Sequence, residues 1–421
     1  MLTGNLKALK MQLLRHWKDN RTIRSIILAF LALCAAVSVF QGARNALEFS
    51  QDFQWDAARA LRDGMDPYEM SYLPQITESE SPALAEFYRM YTDRGLKQKM
   101  EANQFPTLLM LLFPMTYLAP AAARCLWLAL NLAFTAGIVI LLRRTFFENA
   151  DTYEYTAAIL LMLAGTPYRN QLGVGQHTLF AFFFFMMAVY TEKKDVKKSP
   201  AGCVLTALCL FVSYYKYTLT APLALYFIYK KRYKELALSV AAHVVLTGVF
   251  AVRAGKSFVY MIKAPLEVAS NLATEGGIDL GVLFGSPLCY VVALVIGILL
   301  VAVTLKLPQN SENILISLLI LWSLILTYHR TYDFFVLPVA AAFVCPGGDT
   351  DQNERDPAWF LVFAVLVMAV FFALRVFNEN NASKICVGIL YYAFTLAFTY
   401  VTIRTIKNRQ IVTAFKGNNI K

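Results

Sequence analysis

Apolar runs of about 15 to 22 residues recur along almost the entire chain, and no other property restricts its fold so severely. In a bilayer every backbone N–H and C=O must find its partner without water, and runs of this length do so as helices. An all-α polytopic membrane protein is therefore expected. With 58% apolar residues in 421 positions, no soluble domain of ordinary size is visible. A formal charge of +11 would point to nucleic acid in a soluble protein. Here the Lys and Arg gather in short links between apolar runs, which is a topology signal. Membrane lipids, and no nucleic acid, are the expected surroundings. The seven cysteines lie scattered through apolar runs without CxxC spacing, so they indicate neither a metal site nor a disulfide framework.

The basic links set the expected topology. A basic N-terminal segment (Lys7, Lys10, Arg15, Lys18, Arg21, Arg24) precedes the run 26–43, which lacks a clear cleavage site and reads as a retained first span. About twelve spans follow from the pattern, near 23–43, 121–142, 153–168, 177–190, 200–214, 216–229, 236–252, 286–305, 313–328, 332–346, 358–376 and 385–403. The segment 105–120 is apolar but short and carries Pro106, Pro114 and Pro120, so it is read as a helix lying in the outer leaflet. The chain is then a single integral-membrane domain: a cytoplasmic segment 1–22, a first external loop 44–120 with juxtamembrane helices, a bundle 121–403 and a cytoplasmic tail 404–421. More than half of the 39 Lys and Arg fall inside, among them Arg143, Arg144, Lys193, Lys194, Lys197, Lys198 and the run Lys230-Lys231-Arg232. A bacterial cytoplasmic membrane, with the functional face outside, is the expected location.

The external face collects a different chemistry. The segment 50–68 (SQDFQWDAARALRDGMDPY) concentrates Asp52, Asp56, Asp63 and Asp66 in a chain only 16% charged. A carboxylate at the water–lipid boundary can serve as general base toward a lipid-borne substrate, and Asp52 is the candidate. The spacing of Ala57, Ala58, Leu61 and Met65 equally suits an ordinary solvated helix. Lys216 interrupts an apolar stretch, where an ammonium is costly unless paired or interfacial. Either a phosphate pairs it, or it snorkels from a short hairpin. His329 and Arg330 follow an apolar run directly, and a guanidinium can grip a phosphate bidentately while an imidazole donates to it. An interfacial aromatic belt with an anchoring arginine is the other reading. In the short link 168–177, Gly173 and Gly175 allow close backbone approach and the Gln176 amide can orient hydroxyls. The loop 253–279 closes the external set.

Together these motifs resemble glycosyltransferase family 87, integral-membrane enzymes that use polyprenyl-phosphate sugars. The likeness lies in Asp52-Phe53-Gln54-Trp55 followed by Gly64-Met65-Asp66-Pro67-Tyr68, then Phe105-Pro106 with Pro114, the run from Ala123 through Trp127 to Asn131, Gly175-Gln176-His177, and Lys216 ahead of Pro222. It covers about residues 20–235 and is thin beyond. The chain departs from the family in Phe105-Pro106-Thr107, Gln176-His177-Thr178 and the six-residue gap from Lys216 to Pro222. The resemblance implies a GT-C fold and an inverting transfer of a monosaccharide, mannose first, to a glycolipid or cell-envelope glycan acceptor. It makes Asp52 the catalytic base. From their own chemistry Lys216, His329 and Arg330 are expected at the donor phosphate, and Asp66, Tyr68, Gln176 and His177 are expected at the sugar or acceptor. No cofactor is implied, and the sequence offers no dedicated ligand cluster for a metal. The alternative is a transporter or flippase of lipid-linked sugars, which should show repeated halves and broken helices near the midplane.

Overall fold

The computed structural model describes residues 20–50, 52–72, 102–194, 199–272, 278–344, 358–376 and 381–418. The basic N-terminal segment up to Lys18, and Lys197 and Lys198, lie outside these. Every regular element among the described residues is helical. Six helices are long and apolar enough to cross a membrane: Arg21–Glu48, Pro120–Thr145, Pro200–Leu223, Tyr233–Arg253, Leu288–Lys306 and Ile385–Arg404. A seventh candidate is the pair Thr166–Gly173 and Thr178–Lys193, bent by 106° between its halves.

The remaining expected spans are shorter apolar helices, Thr152–Ala164, Glu312–Leu326 and Thr331–Val344 among them. A 15-residue helix rises only about 22 Å against roughly 30 Å of hydrocarbon. Glu312–Leu326 and the 3₁₀-wound Thr331–Val344 pack on each other at the centre of the molecule, and nearly every side chain from Leu315 to Ile325 and from Phe334 to Ala342 is buried. Wrapped by protein, they need not match the bilayer.

Pro200–Leu223 is long enough for one span, yet Lys216 breaks it with φ −117° and ψ 65°. The chain turns back there. Lys193, just before the start of this segment, and Lys230, just after its continuation Leu225–Tyr229, both pair with Glu312. The same end holds Arg232 beside Glu192 at 3.4 Å, Lys193 Nζ donating to Thr145 O at 2.6 Å and Asn313 Nδ2 donating to Phe146 O at 3.0 Å. The links expected inside thus meet at one end of the bundle, and the turn at Lys216 lies at the other.

The described parts of the segment 44–120, expected as the first external loop, fold onto that second end. Trp55–Arg62 buries Trp55, Ala57, Ala58, Ala60 and Leu61 against Met110–Tyr117, with Trp55 Nε1 donating to Met115 O at 3.0 Å and Arg62 Nη1 to Thr116 O at 2.9 Å. It is a packed helix with one wet face, not a freely solvated one. The segment read as the loop 253–279 is a helix over Phe258–Leu272, whose apolar face packs on Pro67–Tyr72. Asp66 joins the two: its Oδ1 caps Tyr68 N at 3.0 Å and Glu69 N at 3.3 Å, and its Oδ2 accepts from Tyr260 OH at 2.6 Å.

Candidate functional site

The link that carries Asp52 is clamped at both ends by unusual backbone. Ser50 and Gln54 take φ of 42° and 58°, the left-handed region that side chains rarely enter and that clusters at functional sites. Ser50 Oγ is bonded back to Ala46 O at the end of the first span, and Asp52 N donates to Val174 O at 2.8 Å. His177 donates from Nε2 to Phe53 O at 3.0 Å, since a carbonyl can only accept. Phe53 stacks on Trp127 at 5.1 Å and 16°. Trp127 in turn donates to Gly175 O at 2.8 Å. Gly175 has φ +68°, and a Cβ there would stand 3.2 Å from Ser50. The bend after Gly173 exists to bring this glycine, Gln176 and His177 under the Asp52 link.

A narrow pocket opens above, lined by Asp52, Gln104, Lys216, Tyr328, Arg330 and Tyr332, with Ala269 of the Phe258–Leu272 helix in its wall. Its volume is about 60 Å³, room for about two waters. Residues from five distant stretches of chain converge on it. Arg330 donates from Nε to Tyr328 OH at 2.6 Å. Burial disfavours its guanidinium, but Tyr328, then Tyr332 and the Asp52 carboxylate outweigh that and hold its pKa above the usual value. Lys216 Nζ lies 5.3 Å from the Tyr332 ring centroid.

The residues expected at the site separate into two layers. Asp52, Lys216 and Arg330 line the pocket. His329 is behind its wall, where Nδ1 donates to Asp333 Oδ2 at 2.9 Å. Gln176 reaches the pocket only through Tyr332, whose hydroxyl accepts from Nε2 at 2.9 Å. His177 is fully buried, stacked on Tyr215 at 4.5 Å. Tyr68 is buried with its hydroxyl on Gln104 O at 2.7 Å, and Asp66 caps a helix as described.

Sequence reading missed Asp333. It is fully buried and accepts from Lys216 Nζ at 3.1 Å, from His329 and from Thr178 Oγ1 at 2.5 Å. The partner of Lys216 in this structure is therefore a carboxylate of the protein. The signal was available: an aspartate opening an apolar stretch, four residues after a histidine, needs an internal cation. Tyr215, Tyr328 and Tyr332 stand beside Lys216 and Arg330 in the expected external clusters without a role of their own, and Gln104 and Thr218 carry no signal in the sequence.

A second cavity, about 360 Å³, adjoins the first through Tyr217, which lines both. Its walls are apolar and aromatic, Phe105, Tyr214, Val240, Val244, Phe258 and Ile262 among them. Val240, Val244 and Phe258 also face outward, so the groove is open along the side of the bundle. At its base Thr107 Oγ1 and His243 Nδ1 are hydrogen-bonded at 2.9 Å. Among the described residues no group of three His, Cys, Asp or Glu is placed to hold a metal ion.

The model of glycosyltransferase family 87 matches residues 106–338, just over half of the chain. The match takes in Lys216, His329, Arg330 and Asp333 and begins beyond Asp52 and Asp66. No curated protein and no solved structure matches the chain.

Proposed function

Because the chain belongs to glycosyltransferase family 87, we propose that it transfers a monosaccharide, mannose first, from a polyprenyl-phosphate donor to a glycolipid or cell-envelope glycan acceptor at the outer face of a bacterial cytoplasmic membrane. The observation that carries this reading is the convergence of Asp52, Lys216 and Arg330 on one pocket, although about 160 residues separate the first two and about 110 the last two. The adjoining apolar groove suits a polyprenyl chain whose phosphate lies at the shared wall.

In this mechanism the acceptor hydroxyl attacks the anomeric carbon on the face opposite the phosphate. Asp52 takes the hydroxyl proton as the new C–O bond forms. The bond from the anomeric carbon to the phosphate oxygen breaks, and its electron pair stays on that oxygen. One displacement inverts the anomeric centre. One negative charge disappears at Asp52 and one appears on the lipid phosphate, so charge moves across the pocket toward Arg330 and Lys216. His329 acts here through Asp333, which holds Lys216. Gln176 and His177 hold Tyr332 and the Asp52 link in place.

The test is to incubate purified protein in lipid nanodiscs with a panel of polyprenyl-phosphate monosaccharides and a lipid acceptor extract, and to measure released polyprenyl phosphate. Asp52→Asn should lower the rate by about 10²–10⁴-fold with the protein still folded. Near-normal turnover in that variant removes Asp52 as the base.

A further inference from the structure

Three polar atoms on residues that line the site pocket have no hydrogen-bond partner among the described residues: Gln104 Oε1, Tyr215 OH and Thr218 Oγ1. Each is withdrawn from bulk water, and Tyr215 is 0% and Gln104 5% exposed. Buried polar groups are nearly always satisfied, so three orphans on one small cavity mark a place where something else supplies the partners.

Their surroundings fix them in that state. Gln104 has its main-chain oxygen held by Tyr68 OH at 2.7 Å and its Nε2 donating to Asn103 Oδ1 at 3.2 Å, which turns Oε1 away from Asn103. The Tyr215 ring is stacked on His177 at 4.5 Å and meets Phe180 edge-on at 5.5 Å, so its hydroxyl cannot swing to another partner. Thr218 has its carbonyl bonded to Thr327 Oγ1 at 3.2 Å, while its own hydroxyl is unpartnered.

The chemistry of the missing partner follows from the donors and acceptors. An amide oxygen accepts only, and two hydroxyls each donate once and accept. A phosphate or carboxylate cannot satisfy Gln104 Oε1, because it has no proton to give. A neutral group bearing several hydroxyls satisfies all three. The cations Lys216 and Arg330 share the pocket's wall.

We propose that Gln104, Tyr215 and Thr218 form the subsite that reads the hydroxyls of the transferred sugar, and so set which sugar is used. This rests on the reading of the pocket as a glycosyl-transfer site. Asp52 and the two cations act on the bond that breaks; these three act on the ring that moves.

The experiment pairs protein variants with donors lacking single hydroxyls. Wild-type protein and Tyr215→Phe, Thr218→Val and Gln104→Met are assayed in nanodiscs with each accepted polyprenyl-phosphate monosaccharide and its singly deoxygenated forms. Removal of the hydroxyl read by a given residue should lower wild-type kcat/KM about tenfold. The matching variant should lose that discrimination while it handles the deoxy donor within about twofold of wild type. A merely structural role would lower both donors together and leave their ratio intact, and that result overturns the subsite. Tyr215→Phe keeps the stacked ring; if it fails to fold, Thr218→Val decides by the same ratio. No release of polyprenyl phosphate from any donor by wild type overturns the transfer reading, and the subsite with it. Release with unchanged discrimination in all three variants overturns the subsite alone.

Discussion

Replacing Asp333 with Ala tests how the pocket is held. The carboxylate is 0% exposed and the Lys216 side chain 12%, with 3.1 Å between Nζ and Oδ2. Deleting the acid leaves an ammonium with little water, and leaves His329 Nδ1 and Thr178 Oγ1 without their acceptor. Removing one member of a buried pair costs about 3–5 kcal/mol, whereas replacing both by apolar residues is close to neutral. Asp333→Ala should therefore lose about 3–5 kcal/mol, and Lys216→Met combined with Asp333→Leu should recover the share due to the stranded ammonium, while His329 Nδ1 and Thr178 Oγ1 lack their acceptor in both variants. At about 2 °C per kcal/mol for a large chain, the single variant melts about 6–10 °C lower. Thermal unfolding in detergent, followed by tryptophan fluorescence, reads both variants in one scan. A single-variant loss below about 1 kcal/mol, the value of an exposed pair, refutes the argument. A double variant no more stable than the single one refutes it as well.

Three other perturbations follow from the geometry. Gly175→Ala forces a side chain into φ +68° with a Cβ 3.2 Å from Ser50, so it should cost about 1–3 kcal/mol in the melting assay and slow transfer by displacing the Asp52 link. Asp66→Ala removes a helix cap and the acceptor of Tyr260 OH, and hydrogen exchange over Phe258–Leu272 should speed up while the Glu312–Leu326 core stays protected. Cysteine reporters at 145–152 and at 254–257 should be labelled from opposite sides of the membrane; labelling from the same side overturns the proposed orientation.

The sequence made the helices legible because lipid allows a long apolar run little else. It made the two ends legible because Lys193, Lys230 and Arg232 share Glu192 and Glu312 at one of them. It did not disclose that Glu312–Leu326 and Thr331–Val344 are enclosed by protein, since an apolar helix facing protein and one facing lipid have the same composition. The site was half legible. Lys216 and Arg330 stand out as charges in apolar context, and Asp52 stands out in an acidic link. Whether His329 meets a ligand or Asp333 depends on a side-chain direction that spacing does not carry. Gln104, Tyr215 and Thr218 are ordinary residues in sequence, and only the absence of a partner within 3.5 Å singles them out.

The charge balance of the pocket gives Asp333 a second consequence. Asp52 at the pocket and Asp333 behind it stand against Lys216 and Arg330, two negative groups against two positive, so the protein's own charges there nearly cancel. The proposed donor is a phosphodiester with one negative charge, and the departing polyprenyl phosphate is a monoester with close to two. Asp333→Asn keeps the side chain's shape and leaves one uncompensated positive charge. That charge attracts the product more than the donor, by the interaction of one extra unit charge, about 1–3 kcal/mol at protein-like screening. Binding of polyprenyl phosphate should therefore tighten about tenfold or more relative to donor KM, and kcat should fall as release slows. A loosened fold would weaken both ligands alike. An unchanged ratio of product Ki to donor KM would mean that Lys216 does not feel the phosphate, and the placement of the donor beside it would have to be abandoned.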